Sequence, residues 1–457
     1  MPARAEHMAR AAWRAIGGDD PSFAALRFAG DGGLPSTFAV SDLAAAAIGV
    51  AALAIGELAQ TASGTMPPVR VDRRLASFWF AKSIRPIGWR MPGVWNSLAG
   101  DYRTSDGWIR LHTNAPHHRA AAERVLGHPG DRTDVARAVA QWGAEDLESA
   151  IVHEGGCAAE MRSSAAWTRH PQGAAVGAEP LVRIIATEHA AERTWTPQAG
   201  RPLAGLRVLD LTRVLAGPIA SRFLAGFGAS VLRIDPPDWN EPAIVPEVTP
   251  GKRCARLDLR NPGGRATFEG LLAQADLLLC GYRSDALDRL GYDDAARRAL
   301  APGLIDVRLD AYGWSGPWAR RRGFDSLVQM SSGIAEAGMR WKAANEPVPL
   351  PVQALDHATG YLIAAAAIRG ITVRLTRGHG TQARLSLART AKWLTGEGEG
   401  VSSPPLAPES AADVSPAIEA TAWGEARRLV PPVAIDGIPM RWDSPAVELG
   451  SSKPAWS

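Results

Sequence analysis

The sequence predicts an α/β protein, with a parallel sheet in its second half and a smaller α+β segment ahead of it. Three observations carry this. From residue 203 onward, short apolar runs alternate with helical patterns. Those runs are joined by helix-length crossovers, as parallel strands require, rather than by tight turns. Residues 68–190 instead mix a hairpin signal with short helices. The 457 residues suffice for two or three domains with sizeable cores.

Taken in order, residues 1–34 read as an irregular leader with one short helix around Met8 to Ile16. Residues 35–67 hold a long Ala-rich helix, Ser41 to Thr61, with Asp42 placed to cap it and packing expected on the large domain. Within the small domain, 68–190, Asp101 to Leu111 reads as a hairpin turning at Asp106-Gly107. Helical patterns follow at Ala120–Leu126 and Ala144–Val152. Residues 191–202 read as a linker. The large domain, 203–397, opens with a strand at Leu206–Leu211 and a loop at Thr212–Gly217. Pro218 sits where a first helical residue should be, and Gly228 suits the stop after Phe227. Further strands are predicted at Ser230–Asp235, Ala275–Cys280 and Leu304–Leu309, with helices near Gly264–Gln274 and Ala295. Residues 398–416 are rich in Gly, Ser, Pro and Ala and read as a flexible linker. Residues 417–457 form a tail expected to pack back on the body.

Composition excludes little but bounds the rest. A net charge of +3 is too small to argue for nucleic acid. Three cysteines, Cys157, Cys254 and Cys280, have neither metal-ligand spacing nor a disulfide framework. A reducing cytoplasm is the default compartment, and no metal is expected. The N-terminus lacks a charged-then-apolar signal pattern. Leu43–Leu58 is interrupted by Gly49, Gly56 and Glu57, so a buried helix is preferred to a membrane span.

Several residues are candidates for chemistry. The strand-loop-helix from Val208 to Phe227 offers backbone N–H groups and a helix start to an anion. It lacks G-x-G-x-x-G, and an ordinary crossover with nothing bound is the alternative. Asp235, ending the second strand, is a candidate ribose contact. Arg253, Arg256, Arg260, Arg283, Arg289, Arg321 and Arg322 stand at strand ends and loops, as phosphate partners or as solvated surface. His112, His117 and His118 read as surface or pocket polar groups, and Asp325 as a helix cap. Asp356 heads a mostly apolar helix. On residue type alone it is a cap, and a nucleophile is the alternative. Pro35–Asp42 with its helix echoes Pro351–Asp356 with its own, which points either to a duplicated element or to coincidence.

A series of motifs then runs in order. It begins with Pro202–Pro218, Gly228–Pro236 and Gly251–Leu259. Tyr282–Tyr292, Tyr312–Pro317, Gly323-Phe324-Asp325 and Leu355–Gly360 complete it. The series resembles the class III CoA-transferase family, which includes formyl-CoA transferase, carnitine CoA-transferases and α-methylacyl-CoA racemase. The resemblance is clear for residues 203–397 and fainter for 35–190 and the tail. It implies a Rossmann-like CoA-binding domain and Asp356 as the catalytic aspartate. That residue would carry an aspartyl-CoA thioester as CoA passes from an acyl-CoA to a carboxylic acid. It further implies that Val214, Leu215, Ala216, Leu257, Arg260, Gly281, Tyr282, Arg289, Arg322, Gly323 and Phe324 border the CoA thioester, a substrate rather than a tightly bound cofactor. Arg260, Arg289 and Arg322 would meet its phosphates.

The departures are informative. The racemase branch has a His where this chain has Phe324, paired with a Glu from the small domain. The corresponding segment here, Leu111–His117, has no carboxylate, so racemase is disfavoured; Phe324 cannot move a proton. Formyl-CoA transferase has Tyr at Phe324 and Gln at Leu215, so the apolar pair here points to a larger, less polar acyl group. The small domain precedes the α/β unit instead of following it, as if the back half of one unit were fused ahead of the front half of another. Asp42 would then be the counterpart of Asp356. A degenerate CoA-binding homologue is the non-enzyme alternative. The resemblance also implies a homodimer; neither a nucleic-acid nor a membrane partner is expected.

Overall fold

The protein is described by a computed structural model covering residues 2–189 and 195–456. Its first elements are α1 (Pro2–Ala15), β1 (Leu26–Ala29), α2 (Val40–Ser63), β2 (Val69–Asp72) and α3 (Arg73–Trp79). The leader is therefore ordered. Met8, Ala12 and Trp13 of α1 are fully buried, and the helix packs on α2.

The smaller α+β domain comes next, ahead of the large sheet. Its three-stranded sheet is β3 (Gly100–Arg103), β4 (Trp108–Leu111) and β5 (Ala158–Glu160), with three helices spanning Pro116–His153. The predicted hairpin forms with Tyr102 opposite Ile109. Asp106 does more than turn the chain: its carboxylate accepts the Ala144 N–H at 2.9 Å and so anchors the helix that starts there.

The large sheet uses β6 (Arg183–His189), β7 (Arg207–Leu211), β8 (Ser230–Asp235), β9 (Lys252–Arg256), β10 (Leu277–Cys280), β11 (Ile305–Asp310) and β12 (His379–Ser386). The spatial order is β9-β8-β7-β10-β11-β12-β6. All pairings are parallel except β12 with β6. Strands β7, β8 and β10 are buried almost throughout, as expected where helices cover both faces of a parallel sheet. Chain order reverses between β7 and β10, so a crevice opens at their C-terminal ends. Helix α4 (Ala216–Gly226) starts in that crevice, two residues before the position assigned to Pro218. Pro218 still fits, because N–H groups of a first turn have no partner inside the helix. Gly228 follows at φ 108°, a conformation that residues with a Cβ avoid.

Three more helices complete the core: α5 (Asp325–Ser331), α6 (Ala354–Arg377) and α7 (Leu387–Thr395). Helices α2 and α6 are long and apolar enough to cross a membrane by length and composition. Here they pack along each other in the interior, with Ala-rich faces that permit close approach.

The echo seen in the sequence is structural. Both helices are 24 residues long and end at a left-handed glycine, Gly64 (φ 74°) and Gly378 (φ 68°). Both aspartates occupy the third helical position. Strand β1 runs parallel to β2 as β11 does to β12, and each second strand carries an antiparallel neighbour. Each second strand then ends in a residue capping the next helix: Asp72 accepts from Leu75 N and Ser386 from Arg389 N.

Several expected boundaries shift. Residues 183–189, placed in the small domain from sequence, form the edge strand of the large sheet. Part of the linker expected at 191–202 lies outside the described residues. The stretch 398–416, expected to be flexible, is tied down: Val401 N donates to Thr37 O at 3.0 Å, Gly33 N to Pro404 O at 2.8 Å, and Arg74 pairs with Asp413 at 2.7 Å. The tail strand β13 (Val433–Ile435) completes the β1-β2 sheet, and Gly424–Arg428 pairs with Ile84–Pro86.

Candidate active site

Asp356 lies in the first turn of α6, where that helix passes the start of α4. The approach is close: a Cβ on Gly360 would fall 2.4 Å from the Ala216 carbonyl oxygen, so glycine is required there. The first turn is capped, but not by its own carboxylate. Asp325, the first residue of α5, accepts the Asp356 N–H at 2.8 Å and also bonds Leu355 N. Gln329 donates its side-chain amide to Asp325 and accepts Leu350 N at 2.7 Å, fixing the chain that leads into α6. Asp356 makes no cap hydrogen bond. The cap reading of Asp356 is corrected accordingly: Asp325 does the capping, and for a helix other than its own.

The two carboxyls form a coupled pair. Burial raises Asp356 well above the ordinary carboxylate range, and the nearby charge of Asp325 raises it further. Burial also lifts Asp325, to about 6, against the hydrogen bonds it accepts from Gln329 and the backbone. Two adjacent carboxyls hold one negative charge more readily than two, and the donors place that charge on Asp325. Asp356 therefore holds its proton more tightly than a carboxyl at a helix N-terminus alone would. It is 7% exposed.

The crevice residues gather around Arg213. Its guanidinium lies between the rings of Trp239 and Tyr282, at 4.4 and 4.6 Å. Val214 is held at φ 63°, a left-handed conformation costly for a β-branched residue, and its N–H donates to Glu241 at 2.9 Å. Leu215 is buried and precedes Ala216 at the start of α4. Gly281 N donates to Leu211 O at 3.3 Å, joining the ends of β10 and β7. Beneath the loop, buried Lys252 bonds Asp210, Ser221 and the Pro218 carbonyl. Burial lowers this lysine to about 8.

On the opposite side, the loop after β11 is bolted to the small domain. Arg321 pairs with Glu148 at 2.9 Å, and Arg322 donates to Gly155 O at 3.1 Å. Gly323 has no room for a side chain, since a Cβ would meet the Tyr312 ring at 2.6 Å. Phe324 stacks on His112 with 3.7 Å between ring centroids.

The expected residues thus fall into two groups. Val214, Leu215, Ala216, Gly281 and Tyr282 meet at the crevice, and Gly323 and Phe324 lead into the Asp325–Asp356 pair. Leu257 is half-buried against the sheet's second core. Arg260 and Arg289, by contrast, are exposed and paired with Asp258 and Asp285. Asp235, a candidate ribose contact, is fully buried in an ion pair with Arg233 and has no free face for one. Sequence reasoning missed Arg213, Trp239 and Glu241, whose only signal was their position just after strand ends. It also passed over His112 as a partner of Phe324. Among the described residues, no cluster of three or more His, Cys, Asp or Glu could hold a metal ion.

A mostly parallel sheet with a crevice where the strand order reverses defines a doubly wound α/β domain. Residues 203–399 match the model of CoA-transferase family III. The chain is 28% identical to an acetyl-coenzyme A transferase of Hypoxylon pulicicidum, over 64% of this chain and 53% of the relative. It is 30% identical to a probable fatty acyl-CoA transferase of Mycobacterium tuberculosis, over 40% of this chain and 50% of the relative. It is also 30% identical to a succinate–glutarate CoA-transferase of Agrobacterium fabrum, over 42% and 52%. The chain spans about half the length of these curated relatives. A crystal structure of the M. tuberculosis protein aligns with a TM-score of 0.38 over 44% of this chain and 57% of that one, at 30% identity.

Proposed function

We propose that the chain transfers coenzyme A between an acyl-CoA and a carboxylic acid, with Asp356 as the nucleophile. The observation that carries this reading is a buried carboxyl with no cation paired to it, held by its own backbone N–H at the rim of the crevice. The match of residues 203–399 to CoA-transferase family III and the names of the relatives support CoA transfer.

The steps balance as follows. The Asp356 carboxylate attacks the thioester carbonyl carbon, and the C–S bond breaks to release CoA thiolate and leave a mixed anhydride. The thiolate attacks the aspartyl carbonyl, freeing the donor acid and forming an aspartyl-CoA thioester. The acceptor carboxylate then attacks that thioester and expels the thiolate. The thiolate finally takes the acceptor's acyl carbon and restores Asp356. Asp356 acts as the carboxylate, its proton passing to solvent before the first step. Once ionised in a dry site, it is poorly solvated and correspondingly nucleophilic. His112 is held neutral, down to about 3, by burial, so it is a weak base. That supports acyl transfer over proton abstraction at the α-carbon.

Incubation with acyl-CoA followed by hydroxylamine or borohydride should leave a modification on Asp356, read by peptide mass spectrometry. An unmodified Asp356 under conditions where CoA exchange proceeds would overturn the assignment.

A further inference from the structure

Three charged side chains stand in a row on the face of the large sheet that α4 covers: Asp210 of β7, Arg233 of β8 and Lys252 of β9. Arg233 lies opposite Asp210 in register, and Lys252 comes two residues before Cys254, which lies opposite Arg233 on its other side. All three are at most 2% exposed. The neighbouring positions of that face, Val208 and Val231, are apolar and belong to the main core. A buried ion pair loses much of its attraction to the cost of dehydration, so apolar side chains would stabilise this face as well or better. What the charges add is a fixed geometry in whatever they bond.

They bond the chain from Thr212 to Pro218, which forms the crevice loop and enters the first turn of α4. Asp210 accepts the Thr212 N–H at 2.9 Å and the Thr212 hydroxyl, where the loop leaves β7. Lys252 donates to the Pro218 carbonyl at 2.9 Å, where the loop becomes helix. Lys252 and Asp210 meet at 3.3 Å, and the Ser221 hydroxyl bonds both. One buried pair therefore joins the two ends of the loop. The neck is tightly closed: a Cβ on Gly217 would fall 2.2 Å from Cβ of Thr212. Arg233 reaches the tip of the loop through Glu241, which accepts the Val214 N–H at 2.9 Å. The Ala216 carbonyl then abuts Gly360, one helical turn beyond Asp356.

We infer that Lys252 and Asp210 are positioning residues: they hold the crevice loop at the spacing from Asp356 that an incoming CoA thioester needs, and they touch no substrate themselves. This rests on the proposed CoA transfer. The crevice wall then owes its shape to a pair two strands apart in the sheet, and a displacement of the loop by about 1 Å is enough to weaken binding and reaction markedly. Preorganising the wall before the ligand arrives lowers the ordering cost of binding.

Two variants of the full chain test this. Lys252→Gln keeps a donor for the Pro218 carbonyl but loses the charge, and the double variant Asp210→Asn with Lys252→Met removes both charges, so that neither is left stranded. Calorimetric titration with CoA reads Kd and the fraction of binding-competent chain separately. Kd should rise at least fivefold in the double variant and by less in Lys252→Gln, with the competent fraction kept. The rate at which acetyl-CoA labels Asp356 should fall at low acetyl-CoA and stay within about threefold of the native rate at saturation. A smaller competent fraction with an unchanged Kd would overturn the inference, because the pair would then serve folding alone; so would labelling slowed equally at all acetyl-CoA concentrations. A native chain that binds CoA but forms no Asp356 adduct refutes the transfer reading and leaves the Kd comparison to decide the role of the pair. A native chain that binds no CoA overturns both.

Discussion

In the N-terminal copy of the repeated element, Asp42 is locked. Its carboxylate meets Arg73 at 2.7 and 3.2 Å, both side chains are at most 5% exposed, and Arg73 also donates to Gly32 O. In the second copy the residue at the same place, the first of the helix after the strand, is Leu387. Asp356 thus has the same backbone position, a similar burial and no guanidinium. The difference shows how one element serves two ends. A carboxylate paired with Arg73 fastens a helix start to its neighbour. An unpaired one, set beside a second carboxyl, is raised above the ordinary carboxylate range by burial and by that neighbour. The first copy also comes joined to the small domain that is docked against the loop after β11 through Glu148 and Gly155.

The sharpest way to break this contrast is to neutralise each aspartate. Asp356→Asn should lower CoA exchange by about 10⁴-fold or more, as loss of a covalent nucleophile does. It should also stabilise the fold at neutral pH. With its folded-state pKa raised, native Asp356 holds a proton that the unfolded chain has already lost. Stability therefore falls as pH rises from the ordinary carboxylate range through the raised value, and the amide removes that penalty. Asp42→Asn should do the reverse. Exchange per folded molecule should be kept, while the buried Arg73 loses its partner at a cost of about 3–5 kcal/mol. Urea midpoints and exchange rates on the same preparations check both; parallel changes in the two variants would refute the division of labour.

Asp42 and Asp356 also mark how much the sequence could tell. The resemblance of their surroundings was legible because helix caps and Ala-rich periodicity are local. So was the α/β alternation, whose strands β7, β8, β10 and β11 fall within a residue or two of their predicted ends. Arg73 was not legible as the partner of Asp42, since the pair forms across a whole helix and strand. The same holds for Asp325: from sequence it caps its own helix, whereas the fold brings α6 to it. The burial of Asp356, which reverses its expected ionisation, depends on helices far apart in the chain. The exposed Arg260 and Arg289 show the opposite failure. Residue type and motif position alone did not show that each is already paired with a neighbouring aspartate.

A subtler test acts on Asp325 itself. Asp325→Asn keeps an oxygen to accept the Asp356 N–H but removes the charge that raises Asp356. The acidic limb of the rate–pH profile should move to lower pH, because less free energy is then needed to ionise the nucleophile. The maximal rate should change by less than about tenfold, since the variant only repositions the first turn slightly. A limb that does not move would show that burial alone sets the state of Asp356.

The smallest expected effect comes from Val214, which has no strained counterpart around Asp42: positive φ at a non-glycine residue occurs only at His128, Val214 and Ala343 among the described residues. At φ 63° its β-branched side chain costs about 1–2 kcal/mol relative to an unstrained backbone. The strain is balanced by the N–H bond to Glu241, which also pairs with Arg233. Val214→Gly removes the strain but frees the unfolded chain, offsetting about 0.5–1 kcal/mol of the gain. Stability should therefore rise by no more than about 1 kcal/mol, seen as a small upward shift in the urea midpoint. If the loop is held rigid to receive a thioester, KM for acyl-CoA should rise while the Asp356 adduct still forms. An unchanged KM with a raised midpoint would place the strained loop outside the binding crevice and leave Asp356 with one wall fewer than its position implies.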